Sequence, residues 1–201
     1  MNRSKILLWF EMLLLFAGLP LLAWIVDVRP VRLGLLLGGT LYTIGIMRNN
    51  SNLWRRIPHG ELGRILVRFT ILALILTTAV ALADRISLFS LPRQHPGLWL
   101  LIMLLYPLLS ALPQEYVYRR FFFARYQSLL GNRLLEVLNI ILFGGLHLIY
   151  GNWEAVVLAT AGGVLFTRNY KKNDSLLAVS VEHALFGMWI FTVGLGRFFF
   201  R

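Results

Sequence analysis

The sequence predicts an all-α fold, a polytopic membrane helical bundle of about seven transmembrane helices. Three observations carry that prediction. Of 201 residues, 58% are hydrophobic and only 14% are charged, against about 25% charged in ordinary soluble domains. The mean hydropathy is +0.69. The charged residues gather between long apolar runs, the pattern of a chain whose solvent is lipid. The length, with no internal repeat or low-complexity segment, fits a single integral membrane domain over residues 1–201.

A spanning helix needs about 20 predominantly apolar residues. Residues 6–26 form the first candidate. Its basic start, Arg3 and Lys5, resembles a signal peptide, but Glu11 interrupts the run and no small-residue cleavage site follows, so it reads as a retained helix. Residues 31–47 are the second, short and glycine-rich, and 65–83 the third. Residues 97–112 are the fourth, stopped near Pro113. Residues 114–130 are helical by pattern but amphipathic, either the lower half of the fourth helix or a separate interfacial helix. Residues 134–150, 153–170 and 176–195 are the fifth to seventh, and residues 48–64 are the longest polar connection.

The net charge is +11. No polybasic tail or aromatic-basic repeat accompanies it, so nucleic acid is not expected as a partner; basic loops facing anionic lipid account for the excess. With the amino terminus in the cytoplasm, fourteen Lys and Arg fall inside and six outside, which favours that orientation. The short basic chain fits a bacterial cytoplasmic membrane. There is no cysteine, which excludes disulfides, thiolate nucleophiles and thiolate zinc sites.

Ionisable groups inside spanning segments are costly and usually face a cavity or a partner. Glu115 and Arg119 are four apart, so on a helix they share a face and can pair. His147 lies near the outer end of the fifth helix and His183 early in the seventh. These bounds set the two histidines at opposite depths, and they meet only if the helices are short, tilted or re-entrant. Structural roles stand beside functional ones. Glu115 with Arg119 also admits the lesser reading of an interfacial ion pair, and a lone intramembrane histidine that of a packing residue. Glu182 is expected near the membrane surface at a helix start. Arg120 and Arg125 read as interface anchors, and Glu11 equally as a residue facing a neighbouring helix or as a functional one. Gly144, Gly145, Gly162 and Gly163 read as close helix packing, and the RFFF run from Arg197 as an aromatic-basic anchor. His59 and His95 sit beside prolines in loops.

A carboxylate in a dry site can serve as a general base toward water, one histidine can position that water, and a second can donate to the oxygen of a carbonyl under attack. That set suffices for peptide hydrolysis without a nucleophilic side chain. The same three residues, Glu115, His147 and His183, could instead hold zinc. There is no H-E-x-x-H and the three come from separate helices, so no cofactor is expected and zinc is the alternative.

With these residues in place, the chain resembles the CAAX protease and bacteriocin-processing family of glutamic-type intramembrane proteases. The family's E-E-x-x-x-R motif reads here as Gln114-Glu115-Tyr116-Val117-Tyr118-Arg119, and its F-x-x-x-H motif as Phe143-Gly144-Gly145-Leu146-His147. Its third motif, a histidine followed four residues on by asparagine, reads as His183 with Gly187. The likeness covers a core of about residues 97–196. It implies a helical bundle with a cavity open to the cytoplasm and water-dependent endoproteolysis of a membrane-anchored or lipidated peptide or protein. Glu115 would be the acidic member, Arg119 its partner, His147 and His183 the water and oxyanion ligands, and Phe143 a lining residue. Two positions depart from the pattern. Gln114 stands where the family carries the glutamate usually assigned the catalytic role. Either Glu115 takes over, or Gln114 polarises the water while another group is the base, or the chain does not catalyse. Gly187 stands in place of an oxyanion-helping asparagine. A non-catalytic membrane-protein binding or escort role, and a small proton-coupled transporter component, are the alternative functions.

Overall fold

The computed structural model describes residues 3–47 and 55–199. The start of the polar connection, with Arg48, and the carboxyl-terminal Phe200 and Arg201 lie outside the described residues. Among the described residues there are eight helices and no strand. They are α1, Arg3–Val26; α2, Arg29–Ile46; α3, Glu61–Ala83; the short α4, Ser90–Gln94; α5, Pro96–Tyr126; α6, Asn132–Leu146; α7, Trp153–Asn173; and α8, Leu176–Val193. Tight 3-10 turns extend α6 through His147–Tyr150 and follow α8 at Leu195–Phe199. Five helices, α1, α3, α5, α6 with its 3-10 turn, and α8, are long and apolar enough to cross a membrane. The bundle is polytopic as the sequence predicts; of the seven predicted transmembrane helices, α2 and α7 are present as helices but lie outside these five.

Local chemistry sets the helix ends. Asn152 accepts a hydrogen bond from the Ala155 N–H at 2.8 Å to cap α7, and Ser175 accepts from the Ala178 N–H at 3.2 Å to cap α8. Lys171 and Lys172 sit in the last turn of α7, where they offset its dipole. Gly144 of α6 lets α7 approach, because a Cβ there would lie 2.1 Å from the Thr160 hydroxyl oxygen. Gly145 faces open space and plays no such part.

The amphipathic segment after Pro113 is the lower half of α5, not a separate interfacial helix. The helix runs on through two wide π turns, Pro107–Ala111 and Tyr116–Phe121, which absorb the backbone bonds that proline cannot make. Residues 113–123 are all buried. An aromatic cluster encloses them: Phe16 of α1 packs edge-on against Tyr118 and Phe122 at 5.0 and 5.1 Å. The expectation of interface anchors is therefore corrected. Arg120 is only 8% exposed. Arg125 is turned inward by Glu11 of α1, to which it donates two hydrogen bonds at 2.9 and 3.0 Å, joined by the Tyr126 hydroxyl at 3.0 Å. Glu11 thus faces a neighbouring helix.

Glu182 also departs from expectation. It is fully buried rather than near the surface. Arg68 of α3 donates to one of its oxygens at 2.9 Å and Asn169 of α7 to the other at 2.6 Å, so one carboxylate ties three helices. The outward faces are apolar: Phe10, Leu74 and Leu104 are among the exposed side chains. Patches of that kind are untenable in water and ordinary in lipid.

Candidate active site

The site grows from the lower half of α5. Successive helical residues point about 100° apart, so Gln114 and Glu115 cannot face the same way. Gln114 faces a cavity, together with Tyr106 and Ser110. These three are spaced by four and form a polar stripe along an otherwise apolar helix. The Gln114 amide N–H donates to the Ser110 hydroxyl at 2.8 Å, and its carbonyl oxygen is buried without a hydrogen-bond partner among the described residues.

Glu115 points the other way and is fully buried. One of its oxygens lies 2.8 Å from His183 Nδ1. A carboxylate can only accept, so Nδ1 carries the proton and Nε2 presents a lone pair. The Tyr106 hydroxyl, 2.9 Å from that Nε2, is then the donor. The second Glu115 oxygen is 3.4 Å from Arg119 Nε, an ion-pair contact rather than a well-formed hydrogen bond. The pairing expected from the four-residue spacing is present. Arg119 is fully buried, and its guanidinium also lies 4.6 Å from the centre of the Phe143 ring.

His147 follows α6. Its Nδ1 lies 2.9 Å from the Phe143 carbonyl, which can only accept, so its Nε2 likewise carries a lone pair in the neutral ring. Phe143 stands between the two histidines, 5.2 Å from His147 and 5.7 Å from His183 by ring centres, and Phe166 stacks on His183 at 4.6 Å. The two histidines therefore share one site, despite the opposite depths their sequence positions imply.

Two cavities meet here. One, of about 440 Å³, lies between α1, α2 and α5 and is lined largely by leucines such as Leu19, Leu36 and Leu101. The other, of about 210 Å³, lies among α3, α5, α6, α7 and α8 and is lined by Phe143, His183 and Gly187. Tyr106, Ser110, Gln114 and His147 belong to both walls. Glu115 and Arg119 line neither. Among the described residues, no three His, Asp or Glu side chains converge closely enough to hold a metal ion.

Sequence reasoning missed Tyr106, Ser110 and Phe166. The four-residue recurrence of Tyr106, Ser110 and Gln114 in an uncharged run was the available signal for the first two. Nothing local marks Phe166. The space beside Gly187 is occupied by Tyr106: a Cβ there would lie 2.2 Å from the tyrosine hydroxyl oxygen.

Residues 96–189 match the family described as type II CAAX prenyl endopeptidase, Rce1-like. No curated protein and no solved structure matches the chain. The matched segment begins with α5, includes all three motifs and ends within α8, so over residues 96–189 the chain is similar to the CAAX protease family, and with its apolar helices it is an integral membrane protein.

Proposed function

We propose that the chain is an intramembrane endopeptidase that cleaves a membrane-anchored or lipidated peptide or protein. Water is activated by Glu115, acting through His183, together with His147. The observation that carries this reading is the hydrogen-bonded line from Glu115 through His183 to Tyr106, ending at the cavity wall that also bears Gln114 and His147. Because Glu115 lines neither cavity, its part is to hold the His183 Nδ1 proton and so fix the tautomer that leaves the Nε2 lone pair for water. His183 Nε2 takes a proton from water as the water oxygen attacks the scissile carbonyl carbon. The Nε2 lone pair of His147 accepts from the same water and orients it. The Gln114 amide, which has no proton to take or give at working pH, orients by hydrogen bonding alone. The tetrahedral oxyanion collapses as the His183 imidazolium passes its proton to the leaving nitrogen, and the C–N bond breaks to leave a carboxylic acid and an amine. No step uses a metal. Purified protein should hold less than one zinc per chain; stoichiometric zinc lost on His147→Ala would replace this reading.

The distribution of Lys and Arg supports an amino terminus in the cytoplasm. With no native cysteine, a single cysteine placed at Lys172 tests it. That thiol should resist an impermeant reagent added outside intact cells, and ready labelling would reverse the orientation.

The decisive experiment compares the termini of membrane proteins by mass spectrometry. Cells lacking the chain receive wild type, Glu115→Ala, His147→Ala, His183→Ala or Gln114→Glu at equal membrane levels. A terminus present with wild type and absent from all three alanine variants is the expected result. One observation favours a second reading, a non-catalytic binding or escort protein: Gln114 occupies the cavity wall where the family carries a glutamate, and an amide is no base. No difference between any of the cells would favour that reading and remove the endopeptidase.

A further inference from the structure

We propose that Tyr106 is a catalytic residue of this chain: its hydroxyl, released from His183 when that ring takes up a proton, donates to the oxyanion. The proposal rests on the endopeptidase reading above. Tyr106 sits on the wall of both cavities, and its hydroxyl is 2.9 Å from His183 Nε2. Its O–H can serve one acceptor at a time. While His183 is neutral, Nδ1–H is committed to Glu115 and Nε2 is an acceptor, so the tyrosine proton points at Nε2. Nε2 has one lone pair, so water displaces the phenolic O–H as it delivers its proton, and the protonated Nε2 then becomes a donor. The tyrosine oxygen now accepts from it, and the phenolic O–H turns to the cavity, where the new oxyanion lies. The tyrosine neither gains nor loses a proton over the cycle. The step that creates the negative oxygen thereby frees the donor that stabilises it, which is differential binding of the transition state.

Gly187 makes room for this tyrosine. A Cβ at position 187 would lie 2.2 Å from the Tyr106 hydroxyl oxygen and 2.3 Å from ring carbon Cζ. Any larger residue there, asparagine included, collides with the ring. Tyr106 and Gly187 therefore form one unit, with the polar group supplied from α5 instead of α8.

The experiment uses the full chain in bilayers and a synthetic peptide spanning the terminus that wild type generates in cells. Tyr106→Phe keeps the ring and removes the hydroxyl. Its kcat should fall by about 100-fold, the scale of losing one oxyanion donor, with KM within about twofold and an unchanged thermal midpoint. Gly187→Asn should be nearly inactive. Gly187→Asn combined with Tyr106→Ala should recover at least about tenfold over Gly187→Asn alone, since the amide then has the vacated space. Full kcat in Tyr106→Phe, or a double variant no better than Gly187→Asn, would overturn the role of Tyr106 while leaving the endopeptidase standing. Absence of any wild-type-dependent terminus is a different result: it removes the endopeptidase reading and Tyr106's role with it.

Discussion

Along α5, the residues Pro96–Tyr106 and residues 113–123 follow opposite rules of burial. The first stretch is apolar, and none of its side chains is buried. The second carries Glu115, Arg119 and Arg120, and every one of its residues is buried. A soluble protein would reverse the two. In lipid an apolar side chain gains little by exchanging acyl chains for protein neighbours, whereas a charge must find partners or a wet cavity. The polar half of α5 is therefore the half that the other helices surround, and the catalytic candidates follow it inward.

The contrast can be broken at several points, the most severe first. Arg119→Ala leaves the fully buried Glu115 with no cation beside it and should cost about 3–5 kcal/mol, read as unfolding in detergent; Glu115→Gln in the same chain should restore part of the loss. Unchanged stability would mean that the ion pair is not what holds the buried half. Glu182→Ala strips Arg68 and Asn169 of their shared acceptor, and about 1–3 kcal/mol should be lost. Gly144→Ala forces a methyl to within 2.1 Å of the Thr160 hydroxyl oxygen; a loss of about 1–2 kcal/mol should shrink when Thr160→Ala is added, and additive losses would rule out the steric cause.

Beyond the helices the effects become smaller. Asp84, just after α3, accepts from the Ser87 hydroxyl and from Arg197 at 2.7 and 2.6 Å. These bonds, with the Ser87 N–H, hold its carboxyl at about 2, below the ordinary 3.8. A folded value below the unfolded one means a contribution that is complete above about pH 4 and lost as pH falls through about 2. The thermal midpoint should drop over that window, and less so in Arg197→Gln. Smallest is Leu104→Ala. This side chain is 70% exposed, and in lipid its removal should change stability by about 0.5 kcal/mol or less. A larger loss would place Leu104 against another protein rather than lipid.

Hydropathy alone located the seven long helices, because a lipid-facing segment advertises itself by what it lacks. Glu115, Arg119, His147 and His183 stood out for the converse reason, being ionisable groups inside such segments. What could not be read was which way a polar residue turns. Glu182, Arg120 and Arg125 sit where a surface role is the cheaper guess, and each pairs with a residue more than 50 positions away in sequence: Arg68, Asp174 and Glu11. The different outlooks of Gln114 and Glu115 were equally hidden, since adjacency on a helix fixes the angle between two side chains but not where either one points. Tyr106 escaped notice because a single tyrosine in an apolar run is ordinary; only Gly187, on another helix, gives it meaning.

The wall shared by the two cavities has a consequence for how any loss of function is attributed. A substitution at Gln114, His147 or Tyr106 reshapes both chambers at once, so its phenotype cannot be credited to either. Leu36 borders only the larger chamber and Leu165 only the smaller. Bulky replacements at these two leucines obstruct one compartment while sparing the common partition. Comparing them assigns a loss of function to one compartment or the other.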